Sequence, residues 1–370
     1  MADVESAQSQ AEENIEGLDR PIGSGWGEYP LDSVFVRQET RTVSAVLDRV
    51  KRKRWILDPD FQRDFVWTAD QQSKLIESCL MRIPLPVFYV AEAADGRIIV
   101  VDGLQRITTF VRYVENDFRL KGLDSKEIEG KFFRDLPVGY QERILDTHLI
   151  IYILDSKVPD CARLDVFERV NGETKLSRQQ MRNAIYSGSA TKWLRDMAQS
   201  QLFLQATGES LNAKTMRDRE AINRFCAFIL IGREGYRGDM DAFLALSLQK
   251  MNNECESLRK VGDAFSRSLK SNLNLFGKHA FRKSLALDDP SAVRGILNIS
   301  LFDVCTVMLA QIPEELSSDS EHGQRVKKEF IELLQNEKFV DAVTYSTNSN
   351  KAVNARHQLA EQALGLQVAL

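Results

Sequence analysis

The chain has 370 residues, 43% of them apolar and 28% charged, with a formal charge of −4. This is an ordinary globular composition, long enough for two domains, and it carries no overall pull toward nucleic acid, so any such contact has to come from a local basic patch. Five scattered cysteines (Cys79, Cys161, Cys226, Cys255, Cys305) form no C-x-x-C pair, which argues against a zinc ribbon or disulfide frame and for reduced thiols in a cytoplasmic protein. No apolar run approaches about 18 residues and no basic-then-apolar leader opens the chain, so no membrane partner is expected.

In chain order, residues 1–28 are polar, acidic and then Gly-rich, the composition of a disordered lead-in. A helix is predicted over Thr42–Arg52, ending in Lys51-Arg52-Lys53-Arg54. Cations at a helix C-terminus complement its dipole, so this run reads first as a solvated end and second as a phosphate-contacting patch. Leu57–Trp67 is irregular and mixes aromatics with polar groups. Thr68 reads as an N-cap, followed by an amphipathic helix through Leu75, Ile76, Cys79, Leu80 and Ile83. A strand is expected over Leu85–Val90, and Asp95-Gly96 signals a hairpin into a β-branched strand at Ile98–Val101. The Asp102-Gly103 turn then opens a helix whose apolar face is expected at Ile107, Phe110, Val111 and Val114.

A third strand is expected at His148–Leu154. Beyond it the pattern is helical: Cys161–Val170, Ser177–Ser187, Thr191–Gln201, Arg219–Gly232, Ala242–Phe276, Ala292–Gln311, Gly323–Glu337 and Asn354–Gly365. The expected organisation is α+β, with a lead-in over 1–28, an α/β domain with a small mixed sheet over 29–158, and an all-helical domain over 159–370.

Most catalytic signatures are missing. There is no G-x-x-x-x-G-K-[ST], G-x-G-x-x-G, G-x-S-x-G or H-E-x-x-H, and His148, His279, His322 and His357 have no ligand spacing. Three polar clusters remain: Gln62-Arg63 with Trp67, Asp102-Gly103 with Gln105-Arg106, and Phe167–Leu176 running on to Arg182-Asn183. The second has two readings. Asp102 acts as an N-cap with Gln105 as its capping-box partner and Arg106 solvated, or the helix start receives an anion, with the arginines on phosphate oxygens and Asp102 on magnesium.

The ordered strings P-D-F-Q-R-D-F-V-W (Pro59–Trp67), L-I-E-S (Leu75–Ser78), I-P-L-P (Ile83–Pro86) and D-G-L-Q-R-I-T-T (Asp102–Thr109) resemble one family. It is the N-terminal domain of GmrSD-type modification-dependent restriction enzymes, within the ParB/sulfiredoxin-like superfamily. The resemblance continues through Phe118–Leu123, Phe167–Asn183 and Met216–Glu220. It implies a ParB-like fold with a D-G-Q-Q-R motif linked to nucleoside triphosphate binding and hydrolysis in defence against foreign DNA. Asp102, Gly103, Gln105 and Arg106 match that motif, and Gln62-Arg63 match the family's upstream Q-R pair. Leu104 replaces the first Gln, Gln180 stands where the family's helix has Glu, and the loop after Asn171 is one residue short. These departures weigh against hydrolysis more than against binding.

The expected function is therefore an NTP-binding, secondarily NTP-hydrolysing, domain that regulates or partners a separate nuclease or other DNA-acting effector. Catalytic roles fall to Asp102, Gln105 and Arg106, with magnesium on Asp102. Nucleotide and phosphate contacts fall to Gln62, Arg63, Gly103, Thr108, Asn171 and Arg182. The alternative is a non-catalytic DNA-binding or interaction protein using Lys51, Arg52, Lys53 and Arg54. A metal-dependent nuclease ranks third, since the His-centred nuclease motif of the larger restriction enzymes does not occur in this sequence.

Overall fold

The structure, a computed structural model, describes residues 15–16, 36–57, 67–93, 96–158, 160–170 and 177–366. It divides into two compact units. One is bounded by Trp26 and Ile185; the other joins the residues from Tyr186 onward to the two-residue strand β1 (Ile15–Glu16). The fold class is α+β, with a small mixed sheet in the first unit and helices in the second. Among the described residues no helix is long and apolar enough to cross a membrane.

The first unit runs β2 (Val36–Thr42), α1 (Val43–Lys51), β3 (Trp55–Ile56), α2 (Ala69–Leu80), β4 (Phe88–Glu92), β5 (Ile98–Asp102), α3 (Leu104–Val114), α4 (Val138–Leu145), β6 (His148–Leu154), α5 (Asp160–Val170) and α6 (Arg178–Ile185). The strand order is β2-β6-β4-β5-β3; β2/β6 and β4/β5 are antiparallel, β4/β6 and β3/β5 parallel. One face of the sheet presents Phe88, Val90, Ile98, Val100, Leu149, Ile151 and Ile153 to a core completed by apolar residues of α1 to α4. On the other face Ala91, Ile99, Val101 and Leu154 are buried, and α6 packs against β5 there.

Local chemistry sets several of these boundaries. Thr42 caps α1, its hydroxyl accepting from the Ala45 amide at 3.3 Å. Thr68 and Gln71 form a full capping box at the start of α2. The strand expected over Leu85–Val90 begins only at Phe88, because Pro84 and Pro86 have no amide to donate to a ladder. Strand β2 carried no apolar alternation to announce it. It is a polar edge strand whose seven residues all pair with β6, and Arg37 ties it to Glu92 at 3.0 Å and Asp155 at 3.3 Å.

The helical unit comprises α7 (Ser189–Ala198), α8 (Gln201–Thr207), α9 (Arg217–Leu230), α10 (Met240–Asn253), α11 (Cys255–Phe276), β7 (Leu297–Asn298), α12 (Ile299–Gln311), α13 (Glu321–Leu333), α14 (Glu337–Thr344) and α15 (Asn350–Leu364), with β7 parallel to β1. The stretch expected as one helix over Ala242–Phe276 breaks at Glu254 (φ −120°, ψ 76°). The one expected from Ala292 begins at Ile299, where Asn298 accepts from the Leu301 amide and donates to the Val343 carbonyl. Helix α12 is buried from Ile299 to Ala310, which is why its pattern shows no amphipathic period.

A buried ionic triad runs through this core. Arg224 of α9 forks onto Asp303 of α12 (Nε–Oδ1 3.0 Å, Nη2–Oδ2 2.6 Å), and Arg356 of α15 reaches the same carboxylate at 3.4 Å. Arg356 also donates to the Thr347 carbonyl. Losing one member of a buried pair costs about 3–5 kcal/mol because the survivors stay charged without compensation. Next to the triad, His357 lies against Phe228 with ring centroids 4.7 Å apart. Burial, followed by the charges of Arg356, Arg233 and Arg224, holds its pKa well below the ordinary value. The folded state therefore keeps His357 neutral while the unfolded chain takes up a proton below about pH 6.5. The unfolded state then binds more protons, so stability falls as pH falls from about 6.5, by up to about 1.4 kcal/mol per pH unit from this group. Urea unfolding between pH 5 and 7.5 is expected to show this slope, and His357→Phe to flatten it; an identical slope in both proteins would refute the assignment.

Candidate functional site

The site is built where β5 ends. Val90 pairs with Val100, but Tyr89 pairs with Asp102, so Val101 is an extra residue and the strand carries a β-bulge. Simple alternation from Ile98 and Val100 would hold Asp102 on the core face; the bulge releases it, a common device beside functional residues. The Asp102 side chain is 36% exposed.

Gly103 follows with φ +98°, and α3 starts at Leu104 with no side-chain cap bond. The expected N-cap role of Asp102 does not occur, because its carboxylate is turned to Arg106. The glycine is needed for two reasons: the left-handed backbone, and a Cβ there would sit 2.3 Å from Phe88 Cδ1 and 3.3 Å from Arg106 Nη2. Ile107 is bonded to the Gly103 carbonyl at 2.9 Å, while the first amides of any helix lack an intrahelical partner and carry the positive end of its dipole.

Arg106 is not solvated. It is 8% exposed. Its guanidinium donates to the carbonyls of Pro86 and Val87 and, at 2.8 Å, to Asp102 Oδ2, and it lies 4.3 Å above the Phe88 ring centroid. Burial lowers its pKa, and Asp102 opposes that shift. The buried face of α3 is accordingly Arg106, Ile107, Thr109, Phe110 and Tyr113, not the expected Val111 and Val114, which are half-buried. Arg106 works as a bracket: it holds the entry to β4 against the end of β5 and fixes one oxygen of Asp102.

The other expected site residues divide. Gln62, Arg63 and Asn171 lie outside the described residues. Thr108 is half-buried one turn into α3, about 6 Å along the helix from Leu104. Leu104 packs against the core of this unit and brings no polar group to the turn. Arg182 is buried in α6, where its Nε donates to Gln179 Oε1 at 3.0 Å, and Gln179 in turn donates to Asn183 at 2.8 Å. Gln180 has a structural use, since its side chain accepts from the Ser177 amide and the Ser177 hydroxyl accepts from the Gln180 amide. A Glu there would serve that capping box equally well. Lys51, Arg52, Lys53 and Arg54 are all exposed, and Arg52 pairs with Asp48 at 3.0 Å.

Sequence reasoning missed Phe88, whose ring is the surface that both Gly103 and Arg106 require. A lone Phe in a strand carries no signal that distinguishes it from any core aromatic. Among the described residues no cluster of three or more His, Cys, Asp or Glu forms a ready metal cage. Asp102 suits magnesium as a single protein ligand, because that ion favours one or two carboxylates completed by phosphate oxygens and water. A surface cleft of about 620 Å³, lined by Gln199, Leu204, Gln205 and Glu209 among others, belongs to the helical unit and contains none of these residues.

Residues 43–187 match the sequence model of the family described as GmrSD restriction endonuclease, N-terminal domain. No match to a curated protein or to a solved structure was found.

Gly103→Ala is expected to destabilise the first unit by about 2–4 kcal/mol, from left-handed backbone strain together with the clash against the Phe88 ring. Denaturant unfolding of Gly103→Ala, Phe88→Leu and the double variant checks this. The double variant should lose less than the sum of the singles; strict additivity would show that the ring is not what the glycine makes room for.

Proposed function

We propose that the sheet-bearing unit binds a nucleoside triphosphate with magnesium at the Asp102–Arg106 turn and so regulates a separate DNA-acting effector. The observation that supports this best is the uncapped start of α3, approached by a glycine backbone and flanked by a carboxylate that Arg106 holds by one oxygen only. First-turn amides and the helix dipole suit phosphate oxygens. The Asp102 oxygen not held by Arg106 would take the metal, which would neutralise phosphate charge. Arg106 positions Asp102 and does not itself reach for phosphate. Gln62, Arg63, Asn171 and Arg182 join the pocket on the family resemblance alone.

Hydrolysis is the secondary part of the reading. Water would add to the γ-phosphorus, the bridging oxygen would leave with the diphosphate, and Gln105 would orient that water. Leu104 removes one polar group from the turn. Binding is therefore expected to outlast turnover.

Calorimetry with a panel of NTPs and magnesium tests the proposal. Asp102→Asn keeps an acceptor for Arg106 but removes the charge, and is expected to weaken metal-dependent binding by tenfold or more, the scale of one charge-assisted contact. Equal affinity in both proteins, or none in the natural one, would sink it. Arg106→Ala is the wrong probe, because it strands two carbonyls and tests folding.

A second reading, DNA contact at the end of α1, has its own support. Lys51 to Arg54 are exposed, and the β3/β5 register sets Arg97 beside Arg54. Nucleotide-independent DNA binding should then fall steeply with salt, and a Lys51/Lys53/Arg54→Gln variant should flatten the dependence of log affinity on log salt by up to about three contacts. An unchanged slope would remove this reading.

A further inference from the structure

One row of side chains crosses four neighbouring strands and ends at the Asp102 turn. The register pairs Gln38 of β2 with Tyr152 of β6, Tyr152 with Tyr89 of β4, and Tyr89 with Asp102 of β5. Three strand spacings put the ends of the row roughly 14 Å apart, comparable to the reach of a nucleotide from base to terminal phosphate. The Tyr89 and Tyr152 rings are stacked, with centroids 5.5 Å apart and 24° between planes. Both are half-buried. Among the described residues neither hydroxyl has a hydrogen-bond partner, and neither does the exposed Gln38 carboxamide.

The same face is sealed on one side of this row and open on the other. Ala91, Ile99, Val101 and Leu154 are buried on the side where α6 packs on β5, whereas on the other side Ile150 is 38% exposed and its β2 partner Thr40 is exposed. An aromatic pair left accessible at the rim of a sealed face offers stacking area that the fold does not consume.

We propose that this row is the nucleobase platform of the triphosphate site: the base stacks on the Tyr89–Tyr152 pair, and the Gln38 carboxamide hydrogen-bonds the base edge. The inference rests on the nucleotide reading of the Asp102–Gly103 turn and says where the other end of that ligand goes. Three features carry it. The row starts at the phosphate turn by direct register. Its middle is a π-surface, which accepts any base. Its far end is a side chain with donor and acceptor side by side, the group suited to telling base edges apart. Apart from Asp102 the row is uncharged, which favours a single base over a strand whose backbone would need cations to follow it.

The test uses the full chain with magnesium and three probes: ATP, GTP and inorganic tripolyphosphate, which has no base. Tyr152→Ala is expected to weaken binding of the better nucleotide by tenfold or more while leaving tripolyphosphate affinity unchanged. Tyr152→Trp should retain nucleotide affinity, and Gln38→Ala should bring the ATP and GTP affinities closer together. Nucleotide affinity unchanged in Tyr152→Ala, or an equal loss for tripolyphosphate, overturns the platform while leaving the phosphate site standing. Failure of all three probes to bind the natural chain overturns both.

Discussion

The site depends on one buried cation. Arg106 enters the core from the first turn of α3 and is accepted by the Pro86 and Val87 carbonyls, the Asp102 carboxylate and the face of Phe88. The two residues just before β4, Pro86 and Val87, turn their carbonyls to Arg106, and the guanidinium fork supplies the donors. A lysine offers no planar fork to stack and divide in this way. Because the same cation holds Asp102, the geometry of the turn and the start of the central strand are one mechanical element. Phe88 is the common surface: it excludes a side chain at residue 103 and carries the guanidinium above it.

The bulge at Val101 is the second constraint. A regular strand sends alternate residues to opposite faces, and β5 obeys this from Ile98 to Val101. The extra residue breaks the period where the chain leaves the sheet, so the carboxylate reaches partial exposure without disturbing the apolar ladder below it. Tyr89, opposite the bulge, stands at the same level. The position where the sheet can be joined to a ligand is thus set by a one-residue defect in its pairing.

The helical unit solves a different problem by a related means. Asp303 is the only charged residue of the buried helix α12, and its carboxylate draws Arg224 and Arg356 from α9 and α15 onto one point. Apolar packing alone would tolerate small slips between helices. A forked guanidinium–carboxylate contact does not, because a slip leaves charges in the core without hydrogen bonds.

Local signals reported local structure well. The helix starting near Thr42, Thr68 as a cap, the β4–β5 hairpin, the strand–turn–helix around Asp102 and the ordered family strings were all legible, because each depends on residues a few positions apart. Edge strand β2 was not legible, since its polar side chains carry no alternation and it exists only through its pairing with β6. The inward turn of Arg106 was equally hidden: its acceptors lie about twenty residues upstream, so an arginine in the first helical turn reads as solvated. For the same reason the buried face of α3 rotated away from Val111 and Val114 toward Arg106 and Tyr113. The sequence by itself determined the resemblance over residues 43–187, most of the helices and inner strands, and the glycine turn, which are short-range properties. Tertiary structure decided which way Arg106 and Asp102 face and which tyrosines line up beside them, because strand register and a shared aromatic ring bring together residues the chain keeps far apart.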